Sequence, residues 1–178
     1  MSISDHAAQL LGRLAAGNCF GEPVTLVAAT KTRTPAEINE AIAAGITDIG
    51  ENKVQEFRDK FDLVQGGNRH FIGHLQTNKI KYLVGKTYLI QSLDRDELAG
   101  EIAKRCVKAE IVQDVLIEVN IGCEESKSGY PLQEAWAAYE RIRATDGLRV
   151  RGFMAMLPIA GTDEEKAALV KKMRALFE

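Results

Sequence analysis

The chain has 178 residues, of which 46% are hydrophobic and 27% charged, a composition typical of a soluble domain that buries its own core. The formal net charge is only -2 and the 23 basic residues are scattered, which argues against a nucleic-acid-binding surface. No apolar stretch approaches the roughly 18 to 20 residues that span a bilayer, and the N-terminus lacks the pattern of a signal peptide. We therefore expect a cytoplasmic protein with one domain, residues 1–178, that binds neither nucleic acid nor membrane.

An amphipathic helix is predicted at the start of the chain, from Ser4 to Ala16. From residue 24, short β-branched runs alternate with longer helical segments, which predicts βα units around a parallel sheet. The predicted strands are Thr25–Thr30, Ile46–Gly50, His70–Gly73, Thr87–Gln91, Val115–Gly122 and Leu148–Met156.

Helix starts are marked by residue pairs with the spacing of a capping box, in which each side chain bonds the other residue's backbone. These pairs are Thr34 with Glu37, Asp94 with Glu97, and Thr162 with Glu165. Pro35 follows the first of them at a position where the first helical turn tolerates proline. Gly45 is placed to end the same helix.

The fold class that this order predicts is α/β, as a (βα)8 TIM-type barrel of which only about six units are present. The chain ends at Glu178 inside an amphipathic helix. Because an open sheet of six parallel strands would leave two unpaired edges, we expect a barrel that is truncated or recorded in part and lacks strands 7 and 8. An open doubly wound sheet is the second interpretation.

Lys31 is the strongest chemical candidate, because it follows the apolar run TLVAAT at the carboxyl end of the first predicted strand. Barrel enzymes carry their chemistry at that rim. A partly desolvated lysine there would lose its proton more readily and could condense with an aldehyde. The alternative from position alone is a solvated lysine that leads into a loop.

Polar residues follow the second and third predicted strands as well. Asn52 could orient a ring or an amine, or could simply cap the next helix. His74 lies on the predicted rim and could bond a ligand or carry a proton, whereas His70 suits a structural role. No second ligand lies at metal spacing from the histidines, and the cysteines are odd in number and far apart. We therefore expect no metal site and free thiols.

The fifth predicted strand places Glu118 and Asn120 on one face, because strand side chains alternate. Buried polar groups need partners, so these two either serve the fold or lie beneath a ligand. The loop that follows carries Lys127, which is either a second amine on the rim of Lys31 or a solvated loop residue.

Taken together, the motifs resemble the pyridoxal phosphate homeostasis family, in the right order through nearly all of residues 24–157. They are TKT around Lys31, GENKVQEF from Gly50, HFIGHLQTNK from His70, SLDR around Asp94, VLIEVNI with SKSGY from Ser126, and RGFMAM from Arg151.

The resemblance implies a barrel like the N-terminal domain of alanine racemase, with pyridoxal 5'-phosphate (PLP) held as a Schiff base on Lys31. It also implies a carrier or regulator of the PLP pool rather than an enzyme, with PLP-requiring apoenzymes as partners. Asn52 and His74 would lie near the cofactor, and Lys127 could be a second amine. The family's last two strands, which carry the phosphate-binding loops, have no counterpart in this sequence.

Two other functions remain open. The first is a PLP-dependent racemase-like enzyme, which would need acid/base groups on both faces of the substrate α-carbon; related racemases bring one of these from an additional β domain, for which this chain has no room. The second is a lysine-dependent aldolase or another barrel that binds phosphorylated sugars.

Overall fold

The computed structural model describes residues 2–124 and 127–178. Contacts between Cα atoms divide the chain into two compact units, residues 1–73 (unit 1) and residues 74–178 (unit 2). Parallel strands alternate with helices in both, which confirms the predicted α/β class. No helix in the described ranges is long and apolar enough to cross a bilayer.

Unit 1 contains three parallel strands, in which β2 pairs with both β1 and β3. A cluster of buried aliphatic side chains from α1, α2, β2 and the segments before β2 and after α3 forms its core. The cluster consists of Ala7, Ile38, Ile46, Ile49 and Val64. The elements are α1 (Ile3–Leu14), β1 (Val27–Ala29), α2 (Pro35–Ala43), β2 (Asp48–Glu51), α3 (Val54–Lys60) and β3 (Asn68–Phe71).

The sheet of unit 1 has a helix face and an opposite face. Ile49 belongs to the core cluster and therefore marks the helix face. An ideal Cβ on Gly50 would lie 3.0 Å from Cδ1 of Ile72 and 3.2 Å from Cγ1 of Val27, so these three residues mark the opposite face. Successive strand residues point to different faces, and each later residue can be assigned from these markers.

Unit 2 is organised around β5, which pairs in parallel with β4, β6 and β7. Val115, Ile117 and Val119 are almost completely buried, whereas the residues between them are partly exposed. This alternation confirms that Glu118 and Asn120 share one face. The elements are a 3-10 helix (Thr77–Tyr82), β4 (Leu89–Leu93), α4 (Asp96–Lys108), β5 (Gln113–Asn120), β6 (Tyr130–Pro131), α5 (Leu132–Arg143), β7 (Leu148–Ala155) and α6 (Asp163–Phe177).

Two of the predicted capping boxes are confirmed, at Thr34 and at Thr162. The prediction for Asp94 is wrong, because α4 starts at Asp96 with Arg95 as its N-cap residue. The carboxylate of Asp94 instead bonds His74 and Arg95. These side-chain bonds take the place of the predicted cap.

Candidate functional site

Lys31 and Asn52 follow neighbouring strands of unit 1. Ala29 pairs with Gly50 across β1 and β2, and the N–H of Thr30 donates to the carbonyl of Gly50 at 2.9 Å. The register therefore continues past the last paired residue. Extended by two residues, this register predicts that Lys31 and Asn52 neighbour each other just past the carboxyl ends of two parallel strands, which stand about 4.8 Å apart in such sheets.

The residues just before them, Thr30 and Glu51, face the helices. The hydroxyl of Thr30 donates to Oε1 of Glu51 at 2.7 Å, and the same oxygen accepts from Nζ of Lys60 in α3 at 2.7 Å. Because side chains alternate, those of Lys31 and Asn52 start on the opposite face. Lys31 is exposed, and its ammonium has no hydrogen bond or ion pair with any residue that the structure describes.

Asn52 has a buried Oδ1 atom with no hydrogen-bond partner within the described ranges. It is not the helix cap that the sequence left open, because the N-cap of α3 is Lys53. Its backbone is fixed by Gly73, since an ideal Cβ at Gly73 would lie 2.1 Å from the Asn52 carbonyl oxygen. Only glycine fits at that distance, and the backbone of Asn52 is therefore tightly placed.

Lys60 occupies the helix side of the same strand ends. Its side chain is 14% exposed and donates to Glu51, to Glu56 at 2.8 Å and to the carbonyl of Thr30 at 2.9 Å. Burial opposes the charged ammonium, but the bonds to the two carboxylates outweigh burial and raise the pKa of Lys60 above its usual value. Lys60 is therefore a fixed cation. Sequence reasoning missed it, although the spacing of Glu56 and Lys60 is that of a helical ion pair.

In unit 2, His74 is part of a polar cluster. Its Nδ1 lies 3.0 Å from Oδ2 of Asp94 and 3.2 Å from the hydroxyl of Ser128. The Asp94 side chain is 5% exposed and also accepts from Arg95, which reaches on to the carbonyl of Leu75 at 3.0 Å. The sequence pointed to His74 and to the SKSGY motif that contains Ser128, but not to the contact between these residues, which are 54 positions apart.

Glu118 lies within reach of the same charges. Burial raises the pKa of its carboxyl group and the nearby Asp94 raises it further, whereas His74 and Lys127 act in the opposite direction. No hydrogen bond to the Glu118 carboxylate comes from the described residues. His74 and Lys127 therefore both interact electrostatically with Glu118.

Asn120 serves the loop after β5. Its Nδ2 donates to the carbonyls of Glu124 and Lys127 at 2.9 and 3.3 Å, and its Oδ1 accepts from the N–H of Glu124 at 3.1 Å. These bonds favour its structural interpretation. Lys127 is exposed. Glu125 and Ser126, where the SKSGY motif starts, lie outside the described residues.

A metal centre has no support in the part of the chain that the structure describes, where no three His, Cys, Asp or Glu side chains could hold an ion together. His70 makes a structural contact, since its Nε2 lies 2.9 Å from Oδ1 of Asp48 and both side chains are buried. The three cysteines are free thiols.

Comparison with known proteins identifies the family to which this chain belongs. The family model described as "Alanine racemase, N-terminal domain" matches residues 16–178. A protein of Aquifex aeolicus named "Pyridoxal phosphate homeostasis protein" is 44% identical over 153 residues, which are 85% of this chain and 67% of the relative.

Solved structures of related proteins have a similar fold. An unknown protein from Bifidobacterium adolescentis has a TM-score of 0.89 at 32% identity, over 98% of this chain and 77% of that chain. PipY of Synechococcus elongatus, solved without PLP, has a TM-score of 0.87 at 26% identity, over 98% and 80% of the two chains. The structure of PipY with PLP bound has a TM-score of 0.83 at 24% identity, over 99% and 80%, and supports the fold. The chain therefore belongs to the alanine racemase N-terminal domain family and, within it, to the pyridoxal phosphate homeostasis proteins.

Proposed function

We propose that the protein binds PLP and takes part in intracellular PLP homeostasis, with the cofactor held as a Schiff base on Lys31. The neutral amine of Lys31 adds to the aldehyde carbon, and loss of one water leaves a C=N bond. Hydrolysis reverses the step. A cytoplasmic carrier of this kind keeps the aldehyde from other amines and releases it to apoenzymes that need it.

The single observation that carries this proposal is that Lys31, just past the carboxyl end of β1, is exposed and free of ion pairs with the described residues. Lys60, by contrast, would have to break two ion pairs before its nitrogen could react. Of the two lysines, only Lys31 offers an amine that can react without breaking a buried network of ion pairs.

Asn52 fits a bound cofactor, because its buried Oδ1 lacks a donor in the described structure. An unsatisfied buried acceptor costs free energy, and a donor group on the ligand would remove that cost. Asn52 would therefore help to orient the ring. The roles of His74 near the cofactor and of Lys127 as a second amine remain predictions that rest on the family resemblance.

Lys31→Ala should abolish covalent capture of PLP, because the one amine left at this strand end among the described residues, that of Lys60, is held in two ion pairs. The test is to mix the protein with PLP, reduce it with borohydride and locate the added mass by peptide mapping. Lys53→Ala is a matched control, since Lys53 is also an exposed lysine of unit 1. An equal yield of reduced adduct in Lys31→Ala and wild type would contradict the proposal.

We also propose that the protein is a carrier and not an enzyme, in keeping with the name of its Aquifex relative. With PLP bound, it should therefore leave L-alanine unchanged over hours. Chiral chromatography of the amino acid measures this directly. Formation of D-alanine that disappears in Lys31→Ala would favour the racemase-like alternative instead.

A further inference from the structure

The backbone on both sides of Lys31 is bonded to one ion pair of α3. The carbonyl of Thr30, in the peptide group before Lys31, accepts from Nζ of Lys60 at 2.9 Å. The N–H of Thr32, in the peptide group after Lys31, donates to Oε2 of Glu56 at 2.8 Å. Lys60 and Glu56 are themselves joined at 2.8 Å across one helical turn.

This arrangement holds an unfavourable backbone conformation. Thr32 has a φ angle of 63°, in the left-handed region that β-branched residues rarely adopt. Such a conformation persists where the surroundings over-determine it, and it is common at functional sites. The charge-assisted bond from the N–H of Thr32 to Glu56 helps to hold Thr32 in this conformation.

The ion pair is itself firmly anchored. Glu51 accepts from both Lys60 and the hydroxyl of Thr30, and its side chain is 7% exposed. The raised pKa of Lys60 keeps it charged, and its ammonium stays bonded. The turn at residues 30–32 is therefore tied to both β2 and α3.

Resting on the proposed function, we propose that Lys60 and Glu56 are positioning residues for Lys31: they hold the turn in the conformation from which the Lys31 amine meets the PLP aldehyde. They act through the backbone of Thr30 and Thr32. A misplacement of about 1 Å can cost roughly a hundredfold in rate, and we expect loss of either bond to slow Schiff-base formation by about tenfold or more.

The main test compares Lys60→Met and Glu56→Ala with wild type in rapid-mixing absorbance measurements of Schiff-base formation. Borohydride reduction and peptide mapping then give the fraction of adduct on Lys31. Both variants should react at least tenfold more slowly and carry a larger share of their adduct on other lysines. Lys60→Arg should recover part of the rate, because a guanidinium can donate to the same carbonyl and carboxylates.

Two controls separate positioning from general effects. Lys104→Met removes the lysine of an exposed helical ion pair in unit 2, and it should react like wild type. Asn39→Ala removes bonds to the backbone of Leu63 and Gln65, which lowers stability without touching the turn. It should keep the wild-type rate under conditions where it is folded.

Lys60→Met carries the larger risk of unfolding, since it leaves buried Glu51 without its cation. Glu56→Ala keeps that pair and is therefore the variant that decides the question. Wild-type rate and wild-type labelling of Lys31 in folded Glu56→Ala would overturn the positioning role while leaving the proposed function intact. A wild-type protein that is not labelled on Lys31 would overturn both.

Discussion

Asp48 in unit 1 and Glu118 in unit 2 are two strand carboxylates with opposite surroundings. Asp48 accepts from the hydroxyl of Thr47 at 2.6 Å, from Asn68 at 3.1 Å and from His70 at 2.9 Å. Glu118 has no such donor in the described ranges, and its neighbours include a second carboxylate.

The consequences for ionisation are opposite too. Burial alone would raise the pKa of Asp48, but the bonds from Thr47, His70 and Asn68 outweigh burial and hold the pKa below its usual range. Burial and Asp94 raise the pKa of Glu118. Asp48 lies at the start of its strand and Glu118 near the carboxyl end of its strand. The satisfied carboxylate thus supports the fold, and the unsatisfied one lies at the end where parallel sheets bind ligands.

The largest predicted change in stability is for Asp48→Ala. This substitution removes the carboxylate that accepts hydrogen bonds from three side chains. The free energy of unfolding at neutral pH should fall by about 3 kcal/mol, measured by urea denaturation. Exposed Asp62 provides the control, and Asp62→Ala should stay within about 0.5 kcal/mol of wild type.

Lowering the pH checks the same point. Because the pKa of Asp48 is lower in the folded protein than in the unfolded chain, its contribution is present above the unfolded value of about 3.9 and is lost as the pH falls through the folded pKa. The difference between wild type and Asp48→Ala should therefore narrow in acid. If wild type and Asp48→Ala had nearly the same free energy of unfolding at neutral pH, the Asp48 carboxylate would not stabilise the fold as proposed.

Glu118→Gln should raise the free energy of unfolding, by less than Asp48→Ala lowers it. A carboxyl group with a raised folded pKa stabilises the protein fully below its unfolded pKa of about 4.3, and this contribution is lost as the pH rises through the folded pKa. The amide does not ionise, and the variant should gain stability relative to wild type as the pH rises. Urea denaturation at a series of pH values, with exposed Glu134→Gln as control, measures the trend. Parallel curves for Glu118→Gln and wild type would contradict it.

Features that depend on residues close together in the sequence could be predicted, and contacts between distant residues could not. Short β-branched runs and the capping boxes at Thr34 and Thr162 are local, and they predicted β1 to β5 and β7 together with two helix starts. β6 was missed because two residues are too few to show a period. The position of Lys31 was also local, since it needed only the end of the first strand.

Contacts between distant residues were beyond such patterns. Lys60 bonds Thr30 across 30 positions, and no local spacing encodes that pair. Asp94 carried a valid capping pattern, yet His74, 20 residues earlier, and the adjacent Arg95 provide its observed side-chain bonds. The family resemblance included both segments but named no contact between them.

The smallest effect concerns His74, whose side chain is 56% exposed beside Asp94. Asp94 keeps its bond to Arg95 when His74 is removed, so His74→Ala alone should lower the free energy of unfolding by only about 1 kcal/mol. Its removal also takes away a charge that lowers the pKa of Glu118. Glu118→Gln should therefore stabilise the His74→Ala protein more than it stabilises wild type. Double-mutant cycles at a series of pH values measure this coupling, and strict additivity at every pH would mean that the two side chains do not interact.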